Sequence, residues 1–371
     1  MSTLTENKRI TDSKRILYVE ILRIFAIVFV LFNHTKKYGF VHFTTYEPGT
    51  FQYWFYMFFS VITPFAVPVF FMLSGMLLLG KEEPIGDVWK KRILKYAIVL
   101  FIFSLIYYFR SISFDFDSFS IGGFLKTIYS GSVIEPYWFL YAYLAFLIIL
   151  PFIRKIVRGI TAREFIYLLL IKLVFDCVLI VLQYRLSGGT IAFNQTIKPA
   201  PVLNMVVFYP IAGYYLGRNL EKVTSKLLLL TLGSCILAVA ITMLMTGYKI
   251  SLTGDLSAGG VQTFYDVAQP FIAIPIFLSA RKIFEDKKLP NVLEKIILNL
   301  GGCVFGIYLI ENAFREDHFF IYFALSKNLN GFVAIWIYVL CVLVCCWILV
   351  AVFRLLAGLI GKAFRSQQQK L

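Results

Sequence analysis

Apolar runs close to 20 residues recur from one end of this chain to the other, and they restrict its fold more than any other feature. A run of that length crosses a hydrocarbon layer of about 30 Å as a helix. In lipid the backbone has no water to bond to, so only helices and closed barrels can span. A barrel needs alternating segments of about 10 residues, whereas these runs are apolar at both parities. Only 15% of the 371 residues are charged and 59% are hydrophobic, against roughly 25% charged in a soluble domain. The chain therefore reads as an all-α polytopic membrane protein.

Ten spans are expected, near 16–34, 52–80, 93–110, 137–153, 164–184, 200–217, 227–247, 264–281, 298–314 and 331–354. The second contains Pro64 and Pro68; each removes a backbone donor, which predicts a broken or bent helix. The last is long enough to tilt or to run beyond the bilayer. With the amino terminus in the cytoplasm, 25 of the 36 Lys and Arg fall in inner segments and 9 in outer ones, while Arg23 and Lys172 lie within spans. Every inner segment holds more of them than every outer one. This positive-inside bias places both termini in the cytoplasm and accounts for the net charge of +15 without a nucleic-acid partner. Residues 1–15 form a cytoplasmic segment, 16–354 the membrane domain and 355–371 a cytoplasmic tail; the expected location is the plasma or inner cell membrane. The first apolar run leads into His34-Thr35-Lys36-Lys37 rather than a small-residue cleavage site, so it is a retained helix. The six cysteines have no metal-ligand spacing and read as small lipid- or core-facing residues.

An ionisable residue inside a span is costly and marks a functional site by default. Span one holds Glu20, Arg23 and His34. The eleven-residue step from Arg23 to His34 amounts to three turns plus about 20°, so the two share a helix face and stand about 16 Å apart along the axis. Glu20 is one turn before Arg23, within ion-pair reach. A fixed cation in the inner half can hold an anionic group, and a histidine at the outer end can take a proton from a hydroxyl near neutral pH. The competing reading is an interfacial ion pair and a solvated helix end. Lys172 and Asp176, spaced i, i+4, read as an internal ion pair. His42 and His318 also fall outside, but no metal site is expected.

The segment from Arg15 to His34 resembles the first helix of the membrane acyltransferase family usually called acyltransferase 3, whose hallmark is an arginine followed after ten residues by a histidine; Arg23 and His34 fit it. Pro68-Val-Phe-Phe-Met-Leu-Ser-Gly75 resembles the family's aromatic–Ser-Gly stretch, Lys90 to Tyr96 its basic link into the third span, Pro136-Tyr-Trp-Phe-Leu140 the start of its fourth, and Phe305-Gly-Ile-Tyr-Leu-Ile310 a late-helix signature. The resemblance covers nearly the whole chain and makes 16–354 a ten-helix acyltransferase domain. It implies transfer of an acyl group, most simply acetyl from cytoplasmic acetyl-CoA, to a hydroxyl of a cell-surface carbohydrate or lipid-linked glycan, with His34 as catalytic base and Arg23 handling the acyl-CoA. Succinyl or another acyl-CoA is a variant; no permanently bound cofactor is implied, and oligomeric state is left open. Ser74, Lys91 and Arg92 become candidate donor contacts. For Ser74 the alternative is a bond to a carbonyl one turn back, and for Lys91 and Arg92 it is simple topological charge. Trp138 is a candidate acceptor contact or an interfacial aromatic, and Glu20 and Tyr308, the latter in the late-helix signature, are further candidate orienting or acceptor contacts. Glu135 is a candidate orienting group or a solvated loop carboxylate. Glu311, near the outer end of span nine, is close in depth to His34 and is placed to orient its imidazole. The chain departs from the family in having Glu311-Asn312 where many members have a histidine. Two other function classes remain compatible with the residues: a transporter or flippase, and a membrane sensor or assembly subunit without chemistry.

Overall fold

The computed structural model describes residues 16–257 and 262–368, with side chains as far as 359. The expected 1–15 segment and the extreme end of the 355–371 tail lie outside them. No strand occurs among the described residues. Among the described residues eight helices are long and apolar enough to cross a membrane: Phe51–Leu78, Ile85–Ser111, Glu135–Val157, Ala162–Ser187, Ser225–Thr253, Tyr265–Phe284, Asn291–Asp317 and Gly331–Leu359. Two further apolar helices are shorter and occupy expected spans one and six, Leu17–Asn33 and Met205–Tyr214.

The helices are named in chain order. Helix α1 is Leu17–Asn33. Helices α2 (Phe51–Ile62) and α3 (Ala66–Leu78) are the two halves of the second span, separated by a 3₁₀ turn at Thr63–Phe65. Pro64 causes the break, because its ring removes a donor from the ladder. Asn33 donates from Nδ2 to the Thr63 carbonyl at 3.3 Å, tying the break to the end of α1. Helix α4 is Ile85–Ser111 and α5 is Ile121–Ser130, a short helix within a segment expected only as an outer loop. Helices α6 (Trp138–Val157), α7 (Ala162–Ser187), α8 (Met205–Tyr214), α9 (Ser225–Thr253), α10 (Tyr265–Phe284), α11 (Asn291–Asp317), α12 (Phe320–Ser326) and α13 (Gly331–Gln368) complete the bundle. At 1.5 Å per residue α13 is about 57 Å long, well beyond a bilayer core.

Helix α1 is the centre of the bundle, packed against α3, α10, α11 and α13. Leu22, Ala26, Ile27, Leu31 and Phe32 on it are fully enclosed. The tightest crossing is α3 on α8. A methyl group at Gly75 would stand 2.0 Å from the Pro210 carbonyl oxygen, and one at Gly213 would stand 1.9 Å from that of Met72. Only glycine lets two backbones meet in this way, the small-residue packing that replaces hydrophobic drive inside lipid. Three π turns interrupt the helices, at Trp89–Ile93 in α4, Val174–Val178 in α7 and Tyr215–Asn219 after α8. The second of these carries Asp176, which pairs with Lys172 at 2.6 Å and Lys198 at 2.7 Å.

Candidate active site

The face of α1 that carries both Arg23 and His34 opens into one cavity of about 1060 Å³. A smaller cavity of about 170 Å³ adjoins it, sharing Arg23, Ser74, Tyr96 and Tyr143, and reaches Arg92. Together they form a passage from the Arg92 end of α4 to the carboxyl end of α1.

Arg23 is held by Glu20 through Nη1 to Oε1 at 2.8 Å. Glu20 is itself buried against α11, where a side-chain carbon at Gly301 would come within 2.3 Å of its second oxygen. Gly301 thus makes room for the carboxylate that fixes the arginine. A cation so anchored keeps the remaining guanidinium donors available to the cavity. Ser74 lines both cavities and donates to the Phe70 carbonyl one turn back at 2.8 Å. Two neighbouring residues of α4 face different surroundings. Arg92 lines the inner cavity and forms a two-point pair with Glu83, which also takes a bond from Arg154 at 2.9 Å. Lys91 points elsewhere, pairing with Asp87 at 3.0 Å in solvent, away from either cavity. The Arg92 and Arg154 guanidiniums hold the Glu83 carboxyl, in the loop before α4, down to about 2.

At the other end, His34 caps α1 and its Nδ1 lies 2.7 Å from Glu311 Oε1. Glu311 is fully buried and the His34 side chain 19% exposed. Arg315, one turn further on α11, reaches the other Glu311 oxygen at 3.6 Å through Nε and bonds Asn312 Oδ1 at 2.6 Å through Nη2. An ionised carboxylate only accepts hydrogen bonds, so this contact is satisfied by a proton on Nδ1. The backbone around Glu311 is clamped by hydroxyls. Tyr137 donates to the Leu309 carbonyl at 2.8 Å; Tyr107 donates to it at 3.3 Å and accepts from the Ala313 amide at 3.0 Å. Tyr308 lines the cavity and donates to the Pro136 carbonyl in a short bond, fixing the turn before Trp138. Trp138 itself lines the cavity and is 42% exposed. Glu135 is at the cavity rim but does not touch His34; it pairs with Lys36 at 2.6 Å, both largely exposed.

The family model of the acyltransferase domain, family 3, matches residues 16–353, about nine-tenths of the chain. The chain belongs to this family. This acyltransferase is therefore a multi-pass membrane protein, and its Glu311 is the residue that meets His34. No curated protein and no solved structure matches the acyltransferase chain. Arg315, Tyr107, Tyr137, Glu83 and Arg154 were not among the residues expected at the site. Only Arg315 left a signal in the sequence, its i, i+4 spacing from Glu311.

Proposed function

We propose that the protein transfers an acetyl group from cytoplasmic acetyl-CoA to a hydroxyl of a surface carbohydrate or lipid-linked glycan, with His34 as general base. The observation that carries this is the His34–Glu311 pair at one end of a cavity whose other end is Arg23. Arg92 and Arg23 offer successive positive charges along the passage, suited to the phosphates and the polar arm of an acyl-CoA entering from the basic side of the bundle. The thioester then lies beside His34, and the acceptor approaches from the outer mouth.

His34 Nε2 takes the proton of the acceptor hydroxyl as its oxygen attacks the thioester carbonyl. The new oxygen–carbon bond forms, the carbon–sulfur bond breaks, and the imidazolium returns the proton to the departing thiolate. Atoms and charge balance without a covalent enzyme intermediate. Glu311 fixes the ring tautomer and stabilises the imidazolium that forms, as a buried carboxylate does for a catalytic histidine. General base catalysis of this kind is worth about 10²–10⁴-fold. In membranes containing wild-type protein, label from radiolabelled acetyl-CoA should appear on envelope glycans and be absent with His34→Ala at matched expression. Equal labelling of both would remove His34 as the base. A succinyl donor is tested in the same assay with labelled succinyl-CoA.

A further inference from the structure

The cavity carries polar side chains for which the chemistry at His34 has no use. Helix α10 turns Asp266 and, three residues later, Gln269 into it, with Gln262 just before the helix on the same lining. This end of α10 is beside His34. The two helices run in opposite directions and pack together, and Phe40, six residues after His34, sits edge-on to Tyr265 with ring centroids 6.1 Å apart. The rest of the first turn of α10 is committed to packing, since Tyr265, Val267 and Ala268 are all buried. Asp266 instead lines the cavity. Neither Asp266 nor Gln269 makes a side-chain hydrogen bond to another described residue. Both groups therefore keep hydrogen-bonding capacity that a ligand in the cavity can use.

We propose that Asp266 and Gln269 form the acceptor subsite and hold a sugar ring through its hydroxyls, with Trp138 against the ring's apolar face. A carboxylate accepts from hydroxyls and a primary amide both donates and accepts, which matches the mixed donor–acceptor edge of a saccharide. The exposed indole of Trp138 supplies an apolar surface with a polar tip. A ring held there offers a neighbouring hydroxyl to His34 Nε2. The assignment rests on the acyl-transfer reading and adds to it the residues that select the acceptor.

The test uses the purified full chain in lipid nanodiscs with labelled acetyl-CoA or succinyl-CoA. The acceptor probes are methyl glucoside, N-acetylglucosamine and a glycolipid extract of the cells that carry the protein. Wild type, Asp266→Asn and Gln269→Ala are compared with each probe that wild type labels. The subsite predicts an acceptor KM raised at least tenfold in both variants, a donor KM within twofold of wild type, and partial recovery in Asp266→Glu. Acceptor KM values within twofold of wild type in both variants would overturn the assignment while leaving acyl transfer intact. A parallel rise in donor KM would also overturn it, since the residues would then be shaping the whole cavity. A wild type that labels no probe from either donor would instead overturn the acyl-transfer reading on which the subsite stands.

Discussion

Replacing Glu311 by glutamine changes almost no volume but reverses the hydrogen-bond logic around His34. One Glu311 oxygen faces His34 Nδ1 at 2.7 Å and the other faces Arg315 Nε at 3.6 Å. A glutamine has one accepting end and one donating end. Arg315 has only donors, so the amide carbonyl turns to it and the amide NH₂ turns to His34. Nδ1 must then accept, the ring proton moves to Nε2, and the base is lost although every atom is near its old place. The full general-base factor of about 10²–10⁴ is at stake, or roughly 3–5 kcal/mol of barrier. We therefore expect Glu311→Gln to lower kcat by about as much as His34→Ala, with donor KM little changed. The double variant should be no slower than either single one, because residues acting as a unit are not additive. Radiolabel transfer in nanodiscs at saturating acetyl-CoA measures all three. A Glu311→Gln enzyme within about tenfold of wild type would refute the tautomer argument, as would a double variant slower by the product of the two single effects.

Four further outcomes are expected. Arg23→Ala strands the buried Glu20 and lowers stability, so the donor effect is read from the Glu20→Gln, Arg23→Ala pair, whose KM for acetyl-CoA should rise roughly 10- to 100-fold if one charged contact worth about 1.5–3 kcal/mol is lost. Arg92→Ala should raise the same KM and Lys91→Ala should leave it unchanged, since only Arg92 lines the passage; equal effects would mean that local charge alone matters. Gly75→Ala should destabilise by about 1–3 kcal/mol through overpacking against Pro210, whereas Gly233→Ala, with nothing within 4 Å of the added carbon, should be neutral or stabilising in thermal melts. Glu83 has its carboxyl lowered from 4.5 to about 2, so its contribution to stability is complete above pH 4.5 and is lost as pH falls toward 2; melting curves across this window should decline less steeply for Glu83→Gln than for wild type.

The helices were legible because hydropathy and helix period are local properties of the chain, and the break at Thr63–Phe65 because Pro64 acts on its own backbone. The pairs Glu20–Arg23 and Lys172–Asp176 were legible for a related reason, since their partners share a helix. The approach of Glu311 to His34 crosses 277 residues of sequence. Counting depth along two spans puts these residues at one level, but only packing angles bring them into contact. The same limit separates Lys91 from Arg92, which charge counting treats alike and which find different partners, Asp87 and Glu83. Tyr107 and Tyr137 were invisible because a tyrosine in an aromatic-rich membrane helix resembles many others until its hydroxyl finds the Leu309 carbonyl.

The contact between α3 and α8 also limits how the passage can widen. With Gly75 against Pro210 and Gly213 against Met72, neither helix can slide or roll without lifting off the other, so the wall that holds Ser74 is mechanically stiff. Other parts of the lining are aromatic, and these rings pack on one another: Tyr96 lies against Tyr143 at 4.9 Å and Phe305 at 5.2 Å, and Phe139 against Phe71 of α3 at 5.4 Å. Any widening of the cavity then falls to those rings moving together rather than to the rocking of helix bundles on which alternating access depends.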